Sequence, residues 1–211
     1  FGCNAGGNVF SFIMEYQKIS FPEAVKFIAE RYNIKIDFKE NDFKSEMHTA
    51  LYQLHDIALK LYQNNLFSKG GEKALNYLYK RGLTEDIIRQ FKIGYATDSW
   101  STLVNKVKGK GFSKNHINQS GLFISSDKGV FDRFRGRIMF PIFHSSGRTI
   151  AFGGRIFNSE DPAKYLNSPE TTIYHKGSVF YGIQATRDSI RKNGCAILVE
   201  GYMDFLKLYQ S

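Results

Sequence analysis

The stretch Arg133-Phe134-Arg135-Gly136-Arg137-Ile138-Met139-Phe140-Pro141-Ile142 decides the fold class of this chain. Three consecutive odd positions carry arginine, and most even positions carry an apolar side chain. Because side chains alternate across a strand, this pattern predicts a β-strand with one apolar face and with Arg133, Arg135 and Arg137 on the other. Arginine suits phosphate, so the arginine face is a candidate polyanion-binding surface. A solvated sheet face with cross-strand ion pairs explains the same pattern.

The neighbouring sequence predicts antiparallel partners for this strand. Upstream, two short apolar runs flank the turn Asp127-Lys128-Gly129, which indicates a β-hairpin. Downstream, Ser146-Gly147 predicts a turn, after which residues 149–152 return alongside the arginine-rich strand. The middle of the chain is therefore expected to form an antiparallel sheet.

Helical patterns dominate the first half of the chain. Apolar residues recur there at helical spacing, and capping residues and glycines mark the helix ends. The patterns predict helices over 20–32, 49–65 and 72–80, a fourth helix capped by Thr84, and two less regular helices near 100–108 and 113–119. Helices followed by an antiparallel region indicate an α+β fold.

A short apolar run near the C-terminus predicts a different kind of strand. Ala196-Ile197-Leu198-Val199 is typical of a strand buried on both faces, and a helix-like run begins at Asp204. Glu200 would then lie at the carboxyl end of a strand, where ligands bind in open α/β sheets, and the two carboxylates could hold Mg²⁺. Taken alone, these two residues favour the other interpretation, a surface glutamate beside a helix-capping aspartate. Because such a strand needs neighbours, we expect the chain to be a piece of a larger protein.

The segment from Asn158 to Thr172 has no periodic pattern and is long for a loop in a compact domain. It carries Lys164, Tyr165 and Asn167, which could grip a nucleic-acid backbone and stack on a base. A surface loop without a function is the other interpretation.

Composition narrows the class of partner. The chain has 211 residues, with 29 lysines and arginines against 20 acids, and its formal charge of +9 favours a polyanionic partner. Only two cysteines occur, Cys3 and Cys195, which excludes a disulfide scaffold and suits a reducing compartment. Apolar runs fall far short of the ~20 residues of a membrane span, so we expect no membrane partner. Cys3 has no second ligand at zinc-binding spacing.

Taken in order, these segments resemble the bacterial replicative DNA primases of the DnaG family, and the resemblance spans the whole chain. Its most specific part is Lys164-Tyr165-Leu166-Asn167-Ser168-Pro169-Glu170-Thr171. The other similar motifs are Phe1-Gly2-Cys3 with Gly6-Gly7-Asn8-Val9-Phe10-Ser11-Phe12, Tyr77-Leu78 with Arg81-Gly82-Leu83, Asp132-Arg133-Phe134-Arg135 with Arg137-Ile138-Met139-Phe140-Pro141-Ile142, Phe152-Gly153-Gly154-Arg155, His175-Lys176-Gly177, Tyr181-Gly182 and Val199-Glu200-Gly201-Tyr202-Met203-Asp204.

The resemblance implies a template-directed RNA polymerase that makes primers on single-stranded DNA from nucleoside triphosphates. It also implies a cytoplasmic place at the replication fork and a replicative helicase bound through a C-terminal domain absent here. The positions that match a basic surface for template and nucleotide are Arg81, Arg155, Lys164 and Lys176. Glu200 and Asp204 match the first members of an acidic cluster that binds Mg²⁺ or Mn²⁺. Cys3 matches the last zinc ligand; the other three would precede Phe1, so Zn²⁺ is expected only in the full-length parent.

The family pattern divides the chain into four parts. Residues 1–38 are expected to be the tail of a zinc-binding domain, 39–48 a linker, 49–194 the N-terminal subdomain of an RNA polymerase domain, and 195–211 the start of a Toprim subdomain. The expected fold is a primase-type body of helices and a strongly bent antiparallel sheet, followed by the first βα unit of an α/β subdomain. This fragment alone is expected to be inactive. The alternative is a non-catalytic single-strand-binding module related to primases.

Overall fold

The computed structural model describes residues 7–17, 19, 21–34, 42–157 and 163–211. Helices fill most of the first half: α1 Val9–Gln17, α2 Phe21–Arg31, α3 Asp42–Leu66, α4 Glu72–Lys80, α5 Glu85–Gln90, α6 Thr102–Val107 and α7 Lys114–Gln119. Two more follow the sheet region, α8 Ile183–Asn193 and α9 Tyr202–Gln210. The strands are β1 Gly94–Ala96, β2 Phe123–Ser126, β3 Gly129–Asp132, β4 Arg137–Phe143, β5 Thr149–Ile156 and β6 Tyr165–Asn167.

The strands form an antiparallel sheet in the order β1-β4-β5-β6, and β2 and β3 form a separate hairpin. The predicted α+β class, the hairpin and the antiparallel return after Ser146-Gly147 are therefore confirmed. The helix predicted over 72–80 has the bounds of α4, and the side chain of Thr84 accepts a hydrogen bond of 3.4 Å from Ile87 N at the start of α5.

Both faces of the main sheet are covered. Every residue of β4 is buried; Met139 packs into the core that α3 covers, while Ile138 and Phe140 pack into a second core with α4, α5 and α9. The second core includes Met203 and Leu206 of α9. This packing holds α9, the last helix, against the sheet. Arg155, near the C-terminal end of β5, belongs to the same sheet.

The prediction that three arginines share one face of a single strand is wrong. Strand β4 begins only at Arg137, because Gly136 has a φ of +59°, in the left-handed region that no strand residue adopts. Arg133 and Arg135 lie in the bend between β3 and β4, so the three arginines do not alternate along one strand. The alternation of arginine and apolar residues in the sequence therefore covers a bend, residues 133–136, as well as the start of β4.

Two other predictions about the C-terminal half need correction. Strand β6 interrupts the stretch expected to be a structureless loop, since residues 165–167 pair with β5. Residues 196–199 form no strand, and Ile197 and Leu198 are 76% and 79% exposed. The reason is that a strand requires a partner, and the described residues place none beside this run.

Helix α3 begins at Asp42, within the range 39–48 that was expected to be a linker. A helix of 25 residues thus leads from the N-terminal segment into the sheet-covering core. Within the described ranges, no helix combines the length and the apolar character that a bilayer crossing requires.

Candidate active site

A groove of ≈ 330 Å³ lies between the β5–β6 edge of the sheet and the start of α9. It collects residues from the end of α4, from β5, from the β6 region and from the bend before α9. Basic and acidic side chains line it together. The lining residues are Arg81, Arg155, Lys164, Tyr165, Glu200, Gly201, Met203 and Asp204.

Arg155 is held in the groove by two tyrosines. Its Nε donates a 2.9 Å hydrogen bond to the hydroxyl of Tyr77, and its Nη1 donates another to the hydroxyl of Tyr165. The guanidinium also lies over the ring of Tyr165, 5.1 Å from its centre. Burial lowers the pKa of Arg155, but the hydrogen bonds to Tyr165 and Tyr77 outweigh it and leave that pKa above its ordinary value. The result is a fixed, permanently charged donor.

Lys164 lies beside Arg155 because the β5–β6 ladder extends to it. Ile156 N donates a 3.1 Å hydrogen bond to the carbonyl of Lys164, one residue before β6 begins. The Lys164 side chain is exposed and lines the groove. An exposed ammonium next to a fixed guanidinium can bind phosphate oxygens.

The two carboxylates come from the opposite wall. Glu200 lies in the bend before α9, and Asp204 lies in the first turn of that helix. Asp204 folds back towards the bend: a Cβ placed on Gly201 would lie 2.7 Å from Asp204 Oδ2, so a larger residue there would displace the carboxylate. Two exposed carboxylates in one groove fit Mg²⁺, which takes one or two carboxylates and completes its shell with water and phosphate oxygens.

Tyr202 anchors this acidic segment on the sheet. Its ring stacks on Phe140 at 5.0 Å between ring centres, and its hydroxyl donates a 3.0 Å hydrogen bond to Asn167 Oδ1. The ring also lies against Gly153 so closely that a Cβ there would come within 2.5 Å of the tyrosine oxygen. Burial raises the pKa of Tyr202, so its hydroxyl stays protonated and remains a donor.

The groove thus brings together most of the predicted site residues. Those that line it are Arg81, Arg155, Lys164, Tyr165, Glu200 and Asp204. Asn167 lies beneath it as the partner of Tyr202. Lys176 does not line it; its backbone N–H donates a 2.8 Å hydrogen bond to Glu170, whose carboxylate also contacts His175.

The three arginines of the predicted stripe lie in separate environments. Arg137 is 2% exposed, and its guanidinium donates to the carbonyls of Gly154 and Ala163, so it ties strands together and is not presented to a nucleic acid. Arg135 stacks on Trp100, 3.8 Å from the ring centre. Arg133 is half-buried, and burial lowers its pKa.

The zinc prediction falls on Cys3, which lies outside the described residues. Within the ranges that the structure describes, no three histidine, cysteine, aspartate or glutamate side chains cluster in a way that could hold a metal ion. Among the described residues, Glu200 and Asp204 therefore have no third such side chain beside them, and a metal ion in this groove would need further oxygen donors.

Sequence reasoning did not assign roles to Tyr77 and Tyr202. Tyr77 lies 78 residues before Arg155, and no local pattern links a tyrosine in a helix to an arginine in a strand. Tyr202 contacts Gly153, which leaves room for its ring, but the two residues are distant in sequence and no local pattern links them.

Comparisons with known families match most of the chain. Residues 61–187 match the family described as DNA primase catalytic core, N-terminal domain. Residues 1–44 match the family described as CHC2 zinc finger. The two matches together include α1, α2, α4–α7, the whole sheet and parts of α3 and α8.

Among curated relatives, the DNA primase of Clostridium acetobutylicum is 40% identical over 214 residues, which cover 100% of this chain and 35% of the relative. The DNA primase of Escherichia coli is 39% identical over 216 residues, covering 100% of this chain and 37% of the relative. The chain therefore spans about a third of the length of the curated relatives that it matches.

Solved structures agree. A DnaG primase catalytic domain bound to single-stranded DNA is 38% identical, with a TM-score of 0.70, and the likeness covers 79% of this chain and 52% of that one. The zinc-binding and RNA polymerase domains of the Aquifex aeolicus primase are 32% identical with a TM-score of 0.70, covering 99% of this chain and 50% of that one.

Fold and groove together define the class: this is the α+β fold of a primase catalytic core. The residues that line the groove are those of the motifs that carried the resemblance. The chain belongs to the DnaG primase family.

Proposed function

We propose that this chain is part of a template-directed RNA polymerase that synthesises short RNA primers on single-stranded DNA. The observation that carries this proposal is the groove that Arg155 and Lys164 line together with Glu200 and Asp204. These residues are up to 49 positions apart in sequence, and no local structural need brings the two pairs together. A polymerase requires this pairing, because cations bind the phosphates and acids bind the metal beside them.

Each side of the groove has its own task. Arg155, oriented by Tyr77 and Tyr165, and Lys164 bind phosphate oxygens of the template or of the incoming nucleoside triphosphate. Arg81 adds a third positive charge at the end of α4. With three cations and two acids in the groove, the net charge favours an anionic substrate even before a metal binds.

Glu200 and Asp204 would hold Mg²⁺ or Mn²⁺ together with phosphate oxygens of the substrate. Bound there, the metal supplies activation of the attacking 3′-hydroxyl and stabilisation of the pyrophosphate leaving group. Tyr202 keeps the two carboxylates facing the basic wall, because it joins the start of α9 to Asn167. Lys176 lies outside the groove, and we propose that its exposed charge binds template or nucleotide phosphates beyond it.

The family relationship supports the remaining parts of the proposal. The catalysing protein is a longer chain with Zn²⁺ bound in the N-terminal zinc finger through Cys3, a complete Toprim subdomain and a C-terminal domain for the replicative helicase. We assign residues 1–38 to the zinc-binding domain and 195–211 to the start of the Toprim subdomain. The division near 39–48 then falls at the beginning of α3.

Primer synthesis by the full-length protein tests the proposal. Glu200→Gln and Asp204→Asn keep side-chain size but remove the charge that holds the metal, so each should abolish primer synthesis on single-stranded DNA with Mg²⁺ while leaving DNA binding nearly unchanged. Glu72→Gln, on the exposed start of α4 away from the groove, is the matched control and should leave synthesis intact. Undiminished synthesis by both groove variants would refute the assignment.

The same assay on the unaltered full-length protein separates the polymerase from a single-strand-binding module. A binding module needs no metal, so a full-length protein that binds single-stranded DNA but makes no primer with any divalent ion would favour the binding module. Family membership and the acidic pair in the groove favour the enzyme.

A further inference from the structure

A second basic feature lies away from the groove, in the segment that contains α6 and α7. Between Asp98 and Asp127 the sequence has no acidic residue, and four lysines fall within nine positions. We call residues 106–114, with Lys106, Lys108, Lys110 and Lys114, the lysine loop. It supplies almost half of the formal net charge of +9.

The lysines have fixed positions because the loop is tied to the core. Val107, at the end of α6, is 5% exposed, and Phe112 packs against the core that α3 covers. Between them, the amide of Lys110 donates a 3.2 Å hydrogen bond to the carbonyl of Val107. All four lysine side chains are exposed. The backbone of the loop is thus fixed by packing on the core, and its lysine side chains are exposed to solvent.

Nothing in the described part of the chain neutralises these charges. None of the four lysines takes part in an ion pair there. Glu46 is the one acid among the residues that line the shallow groove beside Lys110 and His116. Four unpaired like charges in one short turn repel each other, and an anion laid along them removes that cost.

The backbone of the loop is open to a ligand as well. Gly109 and Gly111 have φ values of +76° and +80°, and a Cβ on either would meet no atom within 4 Å. These two glycines leave room for a phosphate to approach the main chain between the lysines.

The loop continues a surface that contains Arg135. Helix α6 begins beside Trp100, whose ring Arg135 covers, and it ends at the lysine loop. Six helical residues rise about 9 Å, so Arg135 with Trp100 and the lysines lie at the two ends of one short helix. A flexible polyanion can contact both ends at once.

We propose that the lysine loop is a second contact for the sugar-phosphate backbone of single-stranded DNA, outside the catalytic groove. The inference rests on the proposed function, since it extends the path of a template that the groove would bind. The loop contacts phosphates and reads no sequence, because lysine acts as a point charge. Its role is to hold template at a distance from the reacting nucleotides.

Binding of labelled oligo(dT) to this 211-residue chain tests the proposal. The variant replaces Lys106, Lys108, Lys110 and Lys114 with glutamine; the control replaces the exposed lysines Lys60, Lys69, Lys73 and Lys192 and so changes net charge equally. Fluorescence anisotropy with an oligonucleotide of about 30 nucleotides, longer than one site, gives Kd at salt concentrations from about 50 to 200 mM. Thermal unfolding confirms that both variants fold.

We expect the loop variant to bind about tenfold more weakly at about 100 mM salt, with a salt slope shallower by about 2 to 3, as about 0.7 per lost phosphate contact requires. The control should lose less than about a third of that. Equal losses in both variants, or a loss confined to duplex DNA, would overturn the role of the loop and leave the proposed function standing. Absence of binding by the unaltered chain would overturn both.

Inorganic triphosphate provides a separate readout. Its binding, measured by calorimetry, depends on the groove and should be the same in the loop variant and the unaltered chain. A loop variant that loses triphosphate binding to the same degree as DNA binding would show that the lysines act on the groove, and the second contact would be refuted.

Discussion

The hydroxyl of Tyr202 donates a 3.0 Å hydrogen bond to Asn167 Oδ1 and thereby joins the first turn of α9 to strand β6. The two residues are 35 positions apart, and they belong to the acidic and the basic wall of the groove respectively. Through this bond, the position of Glu200 and Asp204 relative to Lys164 depends on a neutral pair beneath them.

Tyr202→Phe removes this bond and keeps the stacking on Phe140. A net loss of about 1 kcal/mol is expected for one partly buried hydrogen bond, because Asn167 Oδ1 loses its donor. For a chain of this size, about 1 kcal/mol lowers the melting temperature by roughly 2–4 °C, which calorimetry can measure.

Tyr32→Phe is the matched control, since Tyr32 is 68% exposed. Its melting temperature should stay within about 1 °C of the unaltered chain, as surface substitutions usually do. If the two variants unfold at the same temperature, the bond to Asn167 contributes nothing to holding α9.

His55 makes stability depend on pH. It is completely buried in α3, its Nδ1 lies 2.8 Å from the carbonyl of Leu51, and its ring stacks on Phe152. Among the described residues, Nε2 has no hydrogen-bond partner. Burial lowers the pKa of His55 from 6.5 to about 4, although the bond to Leu51 opposes the shift. The neutral ring therefore belongs to the folded state.

The direction in which stability changes with pH follows from the number of protons bound by the folded and by the unfolded chain. Between pH 6.5 and about 4, the unfolded chain binds a proton at His55 and the folded chain does not, so stability falls as pH falls. From pH 7.5 to pH 5, this residue should reduce the free energy of unfolding by about 2 kcal/mol. Urea unfolding of the unaltered chain and of His55→Phe at both pH values measures this fall in the free energy of unfolding. The variant should not show it. An equal loss in both proteins would contradict the prediction.

Local signals predicted much of the fold. Helix α4 has the predicted bounds because the glycines on either side, Gly71 and Gly82, limit it within the sequence itself. The β2–β3 hairpin and the β4–β5 pair were predictable for the same reason, since turns and period-two patterns are local.

Errors arose where distant residues decide the conformation. Arg137 looked like an exposed phosphate ligand, but the carbonyls of Gly154 and Ala163 draw it inside, and neither lies near it in sequence. Residues 196–199 looked like a strand, but strand formation depends on a partner. In the groove, the charged residues were predictable from their motifs, whereas the tyrosines that position them were not.

Asp132 is one of these long-range residues. It directly precedes Arg133 in sequence, yet its carboxylate accepts hydrogen bonds of 2.7 and 2.9 Å from the backbone amides of Leu103 and Val104 and so caps α6. Asp132→Ala should cost about 2–4 kcal/mol, because it leaves two amides without an acceptor. Asp132→Asn keeps one acceptor oxygen and should cost less than half as much. Chemical denaturation ranks the two, and equal costs would contradict the capping role.

Tyr77 offers a test of whether Arg155 acts through its charge alone or also through its fixed orientation. Tyr77→Phe removes the 2.9 Å bond to Arg155 Nε without changing any charge, so Kd for oligo(dT) should rise about two- to fivefold while the salt slope stays constant. Arg155→Gln removes the charge, so it should weaken binding further and also make the slope shallower by about 0.7. Anisotropy titrations at several salt concentrations separate the two effects. If Tyr77→Phe binds as the unaltered chain does, orientation by Tyr77 is irrelevant; if it changes the slope as Arg155→Gln does, Tyr77 is needed for the phosphate contact itself.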